Sequence, residues 1–108
     1  MKITLLYGGK SGEHEVSLVS AAAVARNLGA GHEVTLIGIS KTGRWFVQDA
    51  AELARIRADG SARLEVHEDD EAEVWAVPGG GTERAFRTVA GFLACDVAFP
   101  MLHGTFGE

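Results

Sequence analysis

The chain has 108 residues, of which 46% are hydrophobic and 23% charged, and a formal net charge of −5. That balance describes one globular domain with room for a single core and excludes a disordered chain. The acidic excess leaves no basic stripe to neutralise phosphates, which argues against nucleic-acid binding, and no apolar run reaches the roughly 18 residues of a membrane span. Met1-Lys2 leads straight into an apolar stretch without a signal-peptide pattern, and a single cysteine cannot form an internal disulfide, so a cytoplasmic location is expected. Cys95 reads as a small core residue rather than a nucleophile.

Ile3-Thr4-Leu5-Leu6-Tyr7 has the length and β-rich composition of a buried strand. A polar loop follows, Gly8-Gly9-Lys10-Ser11-Gly12-Glu13-His14-Glu15-Val16-Ser17, and then Val16, Val19, Ser20, Ala23, Val24 and Leu28 recur at helical spacing. Such a strand-loop-helix places the loop beyond the carboxyl end of a strand, where open α/β sheets bind ligands. Its glycines allow positive φ and close approach of a ligand, and the unpaired N–H groups of the first helical turn attract negative charge. Glu13 and Glu15 fall at that turn. Two readings stay open for them: a fixed carboxylate suited to an ammonium group, or simple stabilisation of the helix dipole.

Gly29 and Gly31 stop the helix, and residues 32–39 read as a second strand, parallel to the first through a right-handed crossover. Lys41-Thr42-Gly43-Arg44 forms a turn that lets Trp45-Phe46-Val47 fold back as a short strand, with Trp45 as a lid on the core. Asp49 is placed to cap a short helix over residues 50–56, with Leu53 and Ile56 on one face, and residues 57–63 read as a polar loop. Leu64-Glu65-Val66-His67 alternates like a half-exposed strand, and Glu68-Asp69-Asp70-Glu71 is a solvated turn rather than a cation site. A further strand is expected over residues 73–77, ended by Pro78 and Gly79-Gly80-Gly81, so the middle third forms a small hairpin insertion. Between Thr82 and Leu93 the pattern is ambiguous: Phe86, Val89, Ala90 and Leu93 trace a helical face that Thr82 can cap, while Gly91 weakens it. Residues 96–102 are expected as a buried strand, with Pro100 near an edge or a bend. Its carboxyl end delivers His103 and the Gly104 to Gly107 turn to the rim that holds the first loop.

Several familiar chemistries fail on spacing. Gly9-Lys10-Ser11 imitates the end of a phosphate-binding P-loop, but Thr4 stands where that motif needs its first glycine. No register through Gly8, Gly9 and Gly12 supplies the dinucleotide fingerprint. His14-Glu15 opens like a zinc-protease helix, yet Leu18 occupies the second histidine's place. Ser17 and Ser20 have no evident partner base, and His32 and His67 read as surface residues.

Gly8-Gly9-Lys10-Ser11-Gly12-Glu13-His14-Glu15-Val16-Ser17, followed by Ser20-Ala21, resembles the opening motif of the D-alanine–D-alanine ligases. Phe99-Pro100-Met101-Leu102-His103-Gly104-Thr105-Phe106-Gly107-Glu108 resembles that family's second amino-terminal motif, which normally continues into Asp-Gly and a helix. The likeness is sharp at the two ends and looser between them. It implies an α/β fold: a three-layer open sheet, mostly parallel, Rossmann-like, of the pre-ATP-grasp kind, with a small hairpin insertion.

The resemblance also implies chemistry. In that family ATP phosphorylates the carboxylate of the first D-alanine, the amine of the second attacks the acyl phosphate, and the dipeptide, ADP and phosphate leave. Glu13 would hold the first D-alanine's ammonium. His103 would lie near its carboxylate, while Val16, Ser17 and Gly104 would contribute supporting contacts to the substrate. ATP and magnesium would be bound by central and carboxyl-terminal ATP-grasp domains that these 108 residues do not include, so the chain is expected to be a fragment, inactive alone and without a cofactor of its own. The implied partners are D-alanine, those ATP-grasp domains and, for the whole enzyme, a second copy in a homodimer. A D-alanine–D-lactate ligase fragment and a non-catalytic α/β module that senses a small amino acid are the alternative readings.

Overall fold

The computed structural model describes residues 1–9, 14–28 and 31–101. Four strands form the main sheet: β1 (Lys2–Gly8), β2 (Glu33–Ile39), β3 (Trp45–Val47) and β7 (Val97–Met101), in the order β3-β2-β1-β7. β1 runs parallel to both β2 and β7, and β3 turns back antiparallel on β2. Three short strands, β4 (Trp75–Ala76), β5 (Phe86–Thr88) and β6 (Gly91–Leu93), make a separate antiparallel sheet.

Two hydrophobic clusters, one on each face of the main sheet, explain the three layers. Leu5, Tyr7 and Leu36 pack against Leu18, Ala21, Ala22 and Ala25 of α1 (His14–Asn27) and against Ile56 of α2 (Ala50–Ala58). The alanines keep the buried face of α1 thin, so the helix backbone lies close to the sheet. On the opposite face Leu6, Ile37 and Ile39 pack against Val74, Phe86 and Cys95. The alternation of Leu5, Leu6 and Tyr7 between the clusters is the period of two of a strand covered on both sides. Trp45 is half-buried with its ring 6.5 Å from that of Phe86, as expected of a lid, and Cys95 is a core residue.

The short helix is capped as its sequence predicts, with Asp49 accepting the Ala51 N–H at 2.8 Å. Three other expectations need correction. Residues 82–93 form no helix; Phe86 pairs with Leu93 across β5 and β6, and Gly91 has a φ of 139° that a helix cannot accommodate. Apolar residues seven apart fit both a helical face and a hairpin pair, and the high exposure of Val89, 70%, belongs to the hairpin turn. The strand expected over 73–77 shrinks to Trp75–Ala76. Finally, β7 is not a buried strand: Ala98, Phe99 and Pro100 are exposed because β7 lies at the edge of the sheet.

Residues 64–67 alternate in burial as a half-exposed strand would, yet they join no ladder. Side chains take over part of that role. The Tyr7 hydroxyl donates to the Glu65 carbonyl at 2.6 Å, and the Glu65 N–H donates to Glu52 Oε2 at 2.7 Å. The Gln48 amide accepts the His67 N–H at 2.9 Å and donates to the His67 carbonyl at 3.2 Å, reproducing a peptide's hydrogen-bonding edge. Burial, reinforced by the Glu52 charge, pushes the Tyr7 phenol well above its usual range, so it remains a donor.

Glu52 is the charged centre of this arrangement. Its buried carboxylate accepts two hydrogen bonds from Arg55, at 3.1 and 2.8 Å, and stands 3.5 Å from His67 Nε2. Burial by itself would raise the carboxyl, but the Arg55 guanidinium and the Glu65 N–H outweigh it and hold the group below its ordinary value. A carboxyl lowered by folding stabilises the protein above its unfolded-state pKa, and that contribution disappears as pH falls through the folded-state value. Glu52→Ala is therefore expected to destabilise the domain by about 2 kcal/mol at pH 7 in urea denaturation. The gap between variant and wild type should narrow below about pH 4; a gap independent of pH would contradict this role for the carboxylate.

Candidate functional site

Parallel pairing brings three strand ends to one rim. Gly8 lies in register with Ile39, and Tyr7 with Met101, so β1, β2 and β7 all finish at the same edge of the sheet. There the backbone leaves β1 through Gly8 and Gly9, whose φ angles of 94° and 104° are open chiefly to glycine. The Gly9 N–H donates to the Ile39 carbonyl at 2.9 Å, joining the exit of β1 to the end of β2.

Ser17, in the first turns of α1, ties the other side of the rim together. Its hydroxyl is fully buried, accepts the Gly8 N–H at 2.8 Å and donates to the Met101 carbonyl. Gly8 and Met101 belong to the two stretches singled out in the sequence, 8–17 and 99–108, and a single side chain joins them. Since the hydroxyl's one donor is engaged within the fold, Ser17 supports the rim rather than offering that proton to a ligand. Val16 is exposed on the same helix, with 49% of its surface accessible. Glu13, His103 and Gly104 lie outside the described residues.

Glu15 has a partner that sequence spacing did not signal. Arg63 forms an ion pair with Glu15 across 48 positions of sequence, both side chains being about half exposed. No local pattern in the polar stretch 57–63 signals that contact. These two residues, with Leu18, Ser40, Lys41 and Thr42, help line a cavity of about 320 Å³ beside the rim. Ser40 lines it at the β2 exit, its hydroxyl 2.8 Å from that of Thr42 and accepting the Arg44 N–H at 3.1 Å. The acidic run at 68–71 is solvent-exposed and serves structure: Asp69 accepts the Glu71 N–H, and Asp70 joins Glu73 in pairing with Arg44. The Arg44 guanidinium holds the Glu73 carboxyl below its ordinary range.

A mostly parallel α/β sheet whose glycine-bordered loops leave the carboxyl ends of its central strands is the arrangement of a small-molecule-binding domain. The family described as D-ala D-ala ligase N-terminus matches residues 2–108, and the chain belongs to it. It is 43% identical over its whole length to a D-alanine–D-alanine ligase of Treponema denticola, spanning 29% of that relative. With that of Treponema pallidum strain Nichols it shares 49% identity over 98% of the chain and 26% of the relative. Among solved structures, the VanG D-Ala:D-Ser ligase of Enterococcus faecalis matches with a TM-score of 0.72 at 29% identity, covering 99% of this chain and 30% of that one. The D-alanine–D-alanine ligase of Coxiella burnetii gives 0.71 at 30% identity with the same coverages. The mixed α/β fold with a mostly parallel sheet is thus the fold of ligase amino-terminal domains.

The positive φ at Gly8 generates a direct test. Gly8→Ala introduces a Cβ at a backbone angle that alanine rarely adopts and should cost about 1–3 kcal/mol in urea denaturation of residues 1–108. Unchanged stability would show that the exit from β1 tolerates a side chain.

Proposed function

We propose that this chain is the amino-terminal substrate domain of an ATP-dependent ligase that joins two D-alanines for peptidoglycan precursor synthesis. The match to the ligase amino-terminal family across residues 2–108 carries this reading. The rim supports it, because the bases of both family motifs meet there through Ser17.

In this proposal Glu13, immediately before α1 in sequence, pairs its carboxylate with the ammonium of the first D-alanine. That fixes the amino acid by the group that does not react. His103 offers an imidazole to the substrate's carboxyl end, where it offsets the negative charge that develops during activation. Val16, Ser17 and Gly104 complete this half of the pocket by support and backbone contacts. ATP supplies the activating phosphoryl group. ATP and magnesium are assigned to the ATP-grasp part of such a ligase. A cytoplasmic location and a homodimeric whole enzyme belong to the same proposal. No helix among the described residues is long and apolar enough to cross a membrane.

The full-length protein is expected to release ADP in proportion to D-alanine consumed, and Glu13→Gln to lower kcat/KM for D-alanine by about 100-fold or more, the scale of unpairing a desolvated charge. Residues 1–108 alone should form no dipeptide. Full activity in the Glu13→Gln enzyme would remove the assignment. The likeness to a D-Ala:D-Ser ligase favours a second reading in which the second substrate differs. Mass spectrometry of the product formed with D-alanine, D-serine or D-lactate separates the possibilities.

A further inference from the structure

We propose that the exposed face of the small sheet, together with the acidic turn at 70–71, is a self-complementary contact surface that takes a second copy of this chain. The inference rests on the homodimer of the ligase reading and assigns the face through which it forms. Cross-strand register places Trp75, Arg87 and Phe92 on one side of the sheet, opposite the side on which Phe86 and Leu93 pack into the core. The Arg87 guanidinium lies 5.4 Å from the centre of the Trp75 ring, and that of Arg84 lies 5.2 Å from the centre of the Phe92 ring. Both aromatic residues stay open to solvent, Trp75 by 42% and Phe92 by 52%. Trp, Phe and Arg are the residue types that concentrate at the centres of protein contacts.

The charges on this face single it out. The guanidinium groups of Arg26, Arg44, Arg55, Arg57 and Arg63 each donate to a carboxylate or a backbone carbonyl. Among the described residues those of Arg84 and Arg87 have no such acceptor, although the chain carries a net charge of −5. The complementary charge is close at hand. Trp75 shares the lining of a cavity of about 270 Å³ with Arg44 and Glu73, and Arg44 in turn holds Asp70 at 2.8 Å. The Asp70 side chain remains 84% exposed, and the neighbouring Glu71 carboxylate has no partner among the described residues. A two-fold axis requires a patch that complements itself. Here it sets Arg84 and Arg87 of each copy against Asp70 and Glu71 of the other, with Trp75 and Phe92 withdrawn from water between them.

Analytical ultracentrifugation of the full-length protein tests this surface, with circular dichroism to show that each variant is folded. The wild type is expected to be a dimer whose Kd rises about tenfold or more as salt is raised from about 50 to about 500 mM. Arg84→Glu combined with Arg87→Glu should weaken it about 100-fold or more, as should Asp70→Lys combined with Glu71→Lys. An equimolar mixture of these two double variants should restore the dimer, because every contact across the axis then joins a carboxylate to an ammonium or a guanidinium. Should a charge reversal fail to fold, Arg84→Gln with Arg87→Gln, or Asp70→Asn with Glu71→Gln, is read by the same weakening. A dimer unaffected by either double variant, or a mixture that stays monomeric, would overturn the inference and leave the homodimer standing on another face. A monomeric wild type would overturn the inference and the homodimer together, whereas the ligase reading is judged separately, by D-alanine-dependent ADP release.

Discussion

The structure depends on β1 being covered on every side. From Ile3 to Gly8 the strand is buried, with Leu5 and Tyr7 beneath the helices, Leu6 against the layer of the small sheet, and a parallel neighbour on each edge. A parallel strand in this position cannot shift by one residue without exchanging its two faces, so its register is strongly specified. That register aligns Gly8 with Ile39 and Tyr7 with Met101 and thereby creates the rim. The geometry of the rim is a consequence of how the most buried strand pairs.

Around this centre, the connecting segments are held less by ladders than by side chains that satisfy backbone groups. Tyr7, Gln48 and Glu52 bind the stretch 64–67, and Arg26 does the same for the end of α2, donating to the carbonyls of Ile56, Asp59 and Ala62. Every buried peptide group requires a partner, and a long side chain can supply one without the residues a further strand would need. Arg26 and Glu52 therefore contribute to the fold through fixed hydrogen bonds, whereas the exposed Arg44 cluster is more open to screening by salt. Ser17 applies the same principle at the rim, at the junction of two strands and a helix.

The edge of the sheet shows how context changes the meaning of an apolar strand. Among the described residues β7 pairs with β1 on one side only, and Phe99 remains 41% exposed although it stands in a run that reads as core. Hydrophobic composition identifies a segment able to be buried; the number of neighbours decides whether it is. In the small outer sheet, Trp75, Arg87 and Phe92 occupy successive cross-strand positions on an exposed face, and the Arg87 guanidinium lies 5.4 Å from the Trp75 ring centre. Stacking of a charged group over an aromatic ring lets that face combine apolar area with solubility.

Much of the architecture was legible in the sequence because it depends on local signals. The strand–loop–helix at the start, the Asp49 cap, the turn before Trp45 and the buried Cys95 follow from periodicity, capping chemistry and glycine placement, and the two terminal motifs indicated the family. Tertiary structure decided what local patterns leave degenerate. Phe86 and Leu93 satisfy a helical period and a hairpin pair equally, and the pairing of β5 with β6 selects the hairpin. Glu15 shows no local sign of its partner Arg63, which stands 48 residues away. Ser17 carries no sign in the sequence that its hydroxyl joins Gly8 to Met101, because a contact 84 positions long exists only once β1 and β7 have been paired beneath α1. Short-range order is encoded in short-range spacing, while the partners of a buried polar group are determined by which distant chains packing brings beside it.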